Sequence, residues 1–145
     1  MICVWIAAKA DLVLSKVGGL SLLERAALTI HSIGIKKVVV PEFLVAAVLE
    51  IQKKHPRLNE CHFVSASKFF PSKQEPRLEW NLDWVVWPYA LSEFVNASQN
   101  KNTQLLSTKA ELTDVRVVFN DHGEVETLQV SNPVWPLMKV TSKAD

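Results

Sequence analysis

The first apolar run is short and nearly unbroken: Ile2, Cys3, Val4, Trp5, Ile6, Ala7 and Ala8. A strand covered on both faces reads this way, because neither face needs polar positions. Residues 9–20 have no regular period and end in Val17-Gly18-Gly19-Leu20, a turn signal. At Ser21 the period changes. Ser21 with Glu24 is a capping box, in which each side chain satisfies a backbone N–H at the start of a helix. Leu23, Ala27, Ile30 and Ile33 then recur at spacings of three and four, one buried stripe. Gly34 ends that helix, since glycine takes the left-handed conformation there without steric cost. Residues 35–40 return to an apolar run, so a second strand follows. The unit is β-α-β, and parallel strands so joined take a right-handed crossover.

The alternation continues. Pro41 opens a second helix over residues 42–54, with Phe43, Ala47, Val48 and Ile51 on one side. Its end carries Gln52, Lys53 and Lys54, and basic residues in a last turn suit the helix dipole. Residues 60–66 predict a third strand, and the polar stretch 67–79, twice punctuated by proline, a loop. Residues 82–87 predict another strand. Pro88 suits a first helical turn, so 89–97 reads as a short helix. A polar turn at 96–103 and a brief apolar element at Leu105-Leu106 follow. Residues 115–119 and 125–130 flank Asn120-Asp121-His122-Gly123, the pattern of a β-hairpin. The sum is an α/β domain, a Rossmann-like three-layer sandwich with a mainly parallel sheet and a late hairpin. Residues 1–130 make the domain and 131–145 a C-terminal tail with two prolines.

Composition narrows the field. A chain of 145 residues has the size of one domain and is long enough to bury a core. Sixteen Lys or Arg stand against fifteen Asp or Glu, so no basic excess argues for nucleic acid. No apolar run reaches the roughly 18 residues of a membrane span. The N-terminus lacks the basic region of a secretory signal, which points to the cytoplasm. Cys3 and Cys61 have no Cys or His partners at close spacing, and read as two reduced, packed thiols. His31, His55, His62 and His122 are scattered and default to structure or surface. Trp80, Trp84 and Trp87 form a local cluster better suited to core packing or an interface than to base stacking.

With these elements in place, the segment Val17-Gly18-Gly19-Leu20-Ser21-Leu22-Leu23-Glu24-Arg25 resembles the "v-x-G-x-P-L-L-E-R" turn of the nucleotidyltransferase family. Ile33-Gly34-Ile35-Lys36-Lys37-Val38-Val39-Val40 is similar to its "a-G-i-x-x-v-v-v" lead into the second strand. The flavour is that of sugar-phosphate and inositol-phosphate cytidylyltransferase-like domains, often fused to CDP-alcohol phosphatidyltransferases. Leu82-Asp83-Trp84-Val85-Val86-Trp87-Pro88 resembles the strand and helix that carry the family's metal-binding Asp. Residues 117–125 resemble its later "v-d-x-x-G-x-V" hairpin. The resemblance implies a nucleotide-diphospho-sugar transferase-like fold. It also implies a nucleoside triphosphate and a sugar or polyol phosphate as partners, with Mg2+ as cofactor.

Carried over residue by residue, it assigns Ala7, Ala8, Lys9, Gly18 and Gly19 to nucleotide binding, Lys9 to catalysis and Asp83 to the metal. Asp11 is a further candidate beside Lys9, and Asp121 reads as a turn residue. One departure is specific. The family's first strand leads into "A-A-G-x-G-x-R", whose glycines let backbone N–H groups approach phosphate oxygens. Here Lys9 stands at the first glycine, no Gly precedes Gly18, and Leu12 falls where the family has its signature Lys. The family's catalytic domains also continue beyond the hairpin to hold the acceptor. Three readings stay open: an active transferase; a degenerate member kept for binding, regulation or assembly; and a domain completed elsewhere in the protein or by a second copy of the chain.

Overall fold

The computed structural model describes residues 1–69, 75–98, 102–106, 112–118, 126–129 and 137–139. The order along the chain is β1 (Ile2–Ile6), α1 (Ala10–Val13), β2 (Lys16–Val17), β3 (Leu20–Ser21), α2 (Leu22–Ser32), β4 (Lys37–Val40), α3 (Val45–Lys54) and β5 (His62–Ser65). Then come β6 (Arg77–Asn81), β7 (Trp84–Val86), α4 (Pro88–Ala97), β8 (Thr103–Leu106), β9 (Leu112–Val118), β10 (Glu126–Gln129) and β11 (Leu137–Lys139). Seven strands form one sheet in the order β10-β8-β9-β6-β1-β4-β5. Strands β5, β4, β1 and β6 are mutually parallel, β9 runs antiparallel to both β6 and β8, and β10 is parallel to β8. The fold is a Rossmann-like α/β domain with a mainly parallel sheet.

The period-2 rule divides the sheet into two unlike faces. Cys3, Trp5, Val38, Val40, Leu78, Trp80, Val115 and Val117 share the face that packs on Leu23, Ala27 and Ile30 of α2, Val48 and Ile51 of α3, and Leu91 and Phe94 of α4. Full burial of a side chain such as Leu23, Ile30 or Phe94 stabilises by roughly 1.5–3 kcal/mol. The second face holds a smaller group, Ile2, Val4 and Val39, against Val64, Ala66 and Phe69. Farther along that face Glu79 is buried between Arg77 and Arg116, and both guanidinium Nε–H groups donate to its carboxylate.

Helix α2 follows its sequence closely. Glu24 N–H donates to Ser21 Oγ at 3.0 Å, the cap expected of this pair. At the other end Gly34 adopts φ 83°, Gly34 N–H donates to the carbonyl of His31 and Ile35 N–H to that of Ile30. Those two bonds define a Schellman end, which the left-handed glycine makes possible. Pro88 occupies the first turn of α4, as expected. The helix expected over 42–54 begins as a 3-10 turn, Glu42–Leu44, and continues as α3.

Three expectations are corrected. The strand expected at 82–87 is present as β7, Trp84–Val86, but the end of the expected loop 67–79 is also a strand, β6 at Arg77–Asn81, central in the sheet. Its polar residues misled the reading: Arg77 and Glu79 alternate with buried Leu78 and Trp80, and they satisfy each other on the second face. Residues 9–20 are not wholly irregular, since they form α1 and the β2–β3 ribbon. The late antiparallel neighbours are β8 and β9, whereas β10 pairs with β8 in parallel. Both edges of β9 are already taken, by β6 and β8, so the following strand joins the free edge of β8. The Asn120–Gly123 segment lies outside the described residues. Within the segment read as a tail, β11 pairs antiparallel with β7. Among the described residues no helix is long and apolar enough to cross a membrane.

Candidate functional site

In an open parallel sheet, ligands bind beyond the carboxyl ends of the strands, where the chain's direction of winding reverses. Here the chain runs from β1 outward to β4 and β5, then crosses back to β6 on the other side of β1. The reversal therefore lies between β1 and β6. Two loops border it. One is the exit of β1, Ala7-Ala8-Lys9, and the other is the turn Asn81-Leu82-Asp83 that leaves β6.

A hydrogen bond joins the two loops: Leu82 N–H donates to the carbonyl of Ile6 at 2.8 Å. The sheet register agrees, with Ile6 opposite Asn81. Candidates Ala7, Ala8, Lys9 and Asp83, distant in sequence, thus belong to one corner. Ala8 and Lys9 are exposed and Ala7 half-buried. Lys9 is the extended residue before α1 and makes no side-chain cap. Asp11 accepts a hydrogen bond from Leu12 N–H at 3.0 Å, an ordinary use of a carboxylate in a first helical turn.

The turn after β6 is held more tightly. Asn81 Oδ1 accepts from Asp83 N–H at 3.0 Å, which closes an Asx turn. Beneath it, Trp80 Nε1–H donates to the carbonyl of Trp84 at 3.0 Å inside the core. Among the described residues, Asp83 Oδ1 is buried and has no hydrogen-bond partner. A buried carboxylate oxygen without a donor is costly, and such an atom is usually explained by a ligand, an ion or water.

Gly18 and Gly19 form the tip between β2 and β3, with φ of 62° and 85°. Two consecutive left-handed residues make the tight turn this ribbon needs. Arg25 Nη2 reaches the Gly18 carbonyl at 3.4 Å, and a Cβ on Gly18 would come within 2.7 Å of that nitrogen. Turn geometry and the Arg25 contact account for both glycines.

Elsewhere on the carboxyl edge, polar groups satisfy one another. Glu42, just beyond β4, accepts hydrogen bonds from the hydroxyls of Ser65, the last residue of β5, and Ser67, just beyond it. Those bonds, with the Lys68 charge, hold the Glu42 carboxyl below the usual range. The Glu24 carboxylate also does more than close its cap. It receives Lys54 Nζ and His55 Nε2, each at 3.2 Å, from the far end of α3. Burial opposes its ionisation, but the His55 and Lys54 hydrogen bonds, the Lys54 charge and the Ser21 N–H together lower its pKa. Sequence reading missed Asn81, the Trp80–Trp84 bond and both carboxylate clusters. Only Asn81 left a local signal, an Asn two residues before an Asp.

Cys3 and Cys61 are free and buried, as expected, and burial pushes both thiols up. His31 Nε2–H donates to the Glu60 carboxylate at 3.1 Å and His55 serves Glu24, both structural or surface roles. His122 lies outside the described residues, as does Asp121.

No family model and no curated protein matches the sequence. Solved structures do match the fold. The 4-diphosphocytidyl-2C-methyl-D-erythritol synthase of Anaerococcus prevotii superposes with a TM-score of 0.66 at 11% identity, over 99% of this chain and 93% of that one. The inositol-1-phosphate CTP transferase of T. maritima gives 0.62 at 11% identity, over 98% and 90%. Rv0371c of Mycobacterium tuberculosis, in its complex with manganese, gives 0.61 at 11% identity, over 89% and 86%. The chain therefore shares the α/β fold of these solved transferases and synthases.

Proposed function

We propose that this domain descends from enzymes that transfer a nucleotidyl group from a nucleoside triphosphate to a sugar or polyol phosphate. In our reading it has lost the phosphate-binding loop and kept the metal corner. It binds a nucleoside triphosphate with a divalent ion and transfers little or nothing. The observation that carries this reading is the buried, partnerless Oδ1 of Asp83 at the winding reversal.

The residues fit a particular kind of metal use. Among the described residues, no group of three or more His, Cys, Asp or Glu is placed to hold an ion. A single carboxylate suits Mg2+, which keeps several waters and is commonly held by one or two carboxylates plus substrate phosphates. Asp83 would hold the ion, whose chemistry when bound is neutralisation of phosphate charge. The manganese complex of a protein with this fold is consistent with a hard divalent ion here. Lys9, exposed at the exit of β1, would meet the phosphates as a point charge.

Transfer demands more than binding. It rests on positioning and on preorganised donors aimed at developing charge. Ala7-Ala8-Lys9 passes straight into α1, and its three Cβ atoms stand where a glycine loop would let backbone N–H groups close on a phosphate. Nucleotide binding without efficient turnover follows from that contrast. The buried free thiols suit a reducing compartment, so we place the protein in the cytoplasm.

A thermal-shift titration with CTP, UTP, ATP and GTP, each with and without Mg2+, tests the reading. A ligand at a hundredfold excess over Kd stabilises the folded state by about 2.7 kcal/mol. In a domain of this size the midpoint then rises by several degrees. We expect a Mg2+-dependent rise with at least one nucleotide and no measurable pyrophosphate release. No rise with any nucleotide at millimolar concentration contradicts the proposal, and rapid pyrophosphate release contradicts its second half.

A further inference from the structure

We infer that Asn81 is a positioning residue, whose amide oxygen holds the Asp83 turn so that the Asp83 carboxylate stays available to a divalent cation. The inference rests on the reading of Asp83 as a metal ligand and adds a second residue to that corner. In most short turns of this kind an Asp spends its own carboxylate on nearby backbone N–H groups. Here the labour is divided. Asn81 accepts the Asp83 N–H at 3.0 Å, and the Ile6 carbonyl accepts the Leu82 N–H at 2.8 Å. With both turn donors already satisfied, Asp83 Oδ1 is left buried and without a donor among the described residues.

Asn81 is well placed for this task. It is the last residue of β6, in register with Ile6 of β1, so its backbone is fixed by the middle of the sheet. The Trp80 to Trp84 bond clamps the residues on either side of the turn. The turn is therefore rigid before any ion arrives. Without the Asn81 oxygen, the Asp83 N–H loses the side-chain acceptor that closes the turn. Groups that orient a metal ligand commonly change metal affinity by about 10–100-fold when removed.

The test follows Mn2+-induced broadening of backbone amide signals in the isotope-labelled chain, with Mn2+ alone as the probe. In the wild type, broadening should concentrate at residues 81–84 and 6–9, and Asp83→Asn should abolish it. Asn81→Ala should need about tenfold more Mn2+ for the same broadening, with the remaining spectrum unchanged. Asn81→Ser, whose hydroxyl accepts from the N–H two residues on, should recover to within about threefold of wild type. If Asn81→Ala does not fold, Asn81→Gln carries the same expectation, since its oxygen sits one methylene too far out. Broadening in Asn81→Ala equal to wild type overturns the positioning role while leaving Asp83 as ligand. Equal spectra for wild type and Asp83→Asn overturn the metal corner and this inference with it.

Discussion

Glu24 and Asp83 each keep carboxylate oxygen out of solvent, and the two are treated in opposite ways. Glu24, at the start of α2, is surrounded by donors: the Ser21 N–H, Lys54 Nζ and His55 Nε2. Asp83, at the turn after β6, keeps one oxygen buried with no donor among the described residues. Glu79 follows the first pattern, between Arg77 and Arg116. Carboxylates that serve the architecture are satisfied from within the chain. Asp83 is the exception, and it lies where an α/β sheet binds its ligands. On the proposed reading, this contrast marks Asp83 as the carboxylate left for a ligand.

The largest effect on stability is expected from removing the satisfied carboxylate. Glu24→Ala loses the return half of the capping box and the tie from α2 to α3. Charge-assisted bonds of this kind are worth about 1.5–3 kcal/mol each, but Lys54 is 58% exposed and regains water. The net loss should be about 2 kcal/mol in urea denaturation. The same group sets an acid limit. Its folded pKa is lowered from 4.5, so its contribution is full above that value and is lost as pH falls through the lower, folded one. Wild type should therefore lose stability more steeply below pH 4.5 than Glu24→Ala does.

A smaller change at the same end of α2 is Gly18→Ala. It places a Cβ on a φ of 62° and against Arg25, and should cost about 1–2 kcal/mol without touching the Mg2+ response. Asp83→Asn inverts the pattern. It relieves a buried charge, so the melting point without ligand should hold or rise slightly, while the Mg2+-dependent nucleotide shift disappears. Lys9→Ala should be the mildest. Its exposed side chain leaves stability within about 0.5 kcal/mol of wild type, and the nucleotide shift should shrink without vanishing. A Lys9→Ala protein with no shift at all would move the centre of binding from Asp83 to the exit of β1.

Much of the fold was legible where local chemistry and tertiary role agree. Ser21, Glu24, the Leu23-to-Ile33 stripe and Gly34 each announce α2, and the helix obeys them. The first two parallel strands read equally well because both faces are covered. The β6 strand was hidden because its second face carries Arg77 and Glu79, whose partner Arg116 comes from β9, far along the chain. The pairing of β10 was hidden for a related reason: which sheet edge is free depends on strands already placed, not on local sequence. At the candidate site, Asp83 and Lys9 were suggested by resemblance alone. Their shared corner came from the Leu82–Ile6 bond, a long-range contact without a local pattern. The lack of a donor at Asp83 Oδ1 is a property of the packed turn and leaves no trace in the sequence.

The most direct measurement compares the melting points of wild type and Asp83→Asn, side by side, across the four nucleoside triphosphates with and without Mg2+. The account predicts a rise of several degrees in wild type that needs both Mg2+ and nucleotide, and none in Asp83→Asn. An equal rise in both proteins would contradict it, because Asp83 would then have no part in holding the ion.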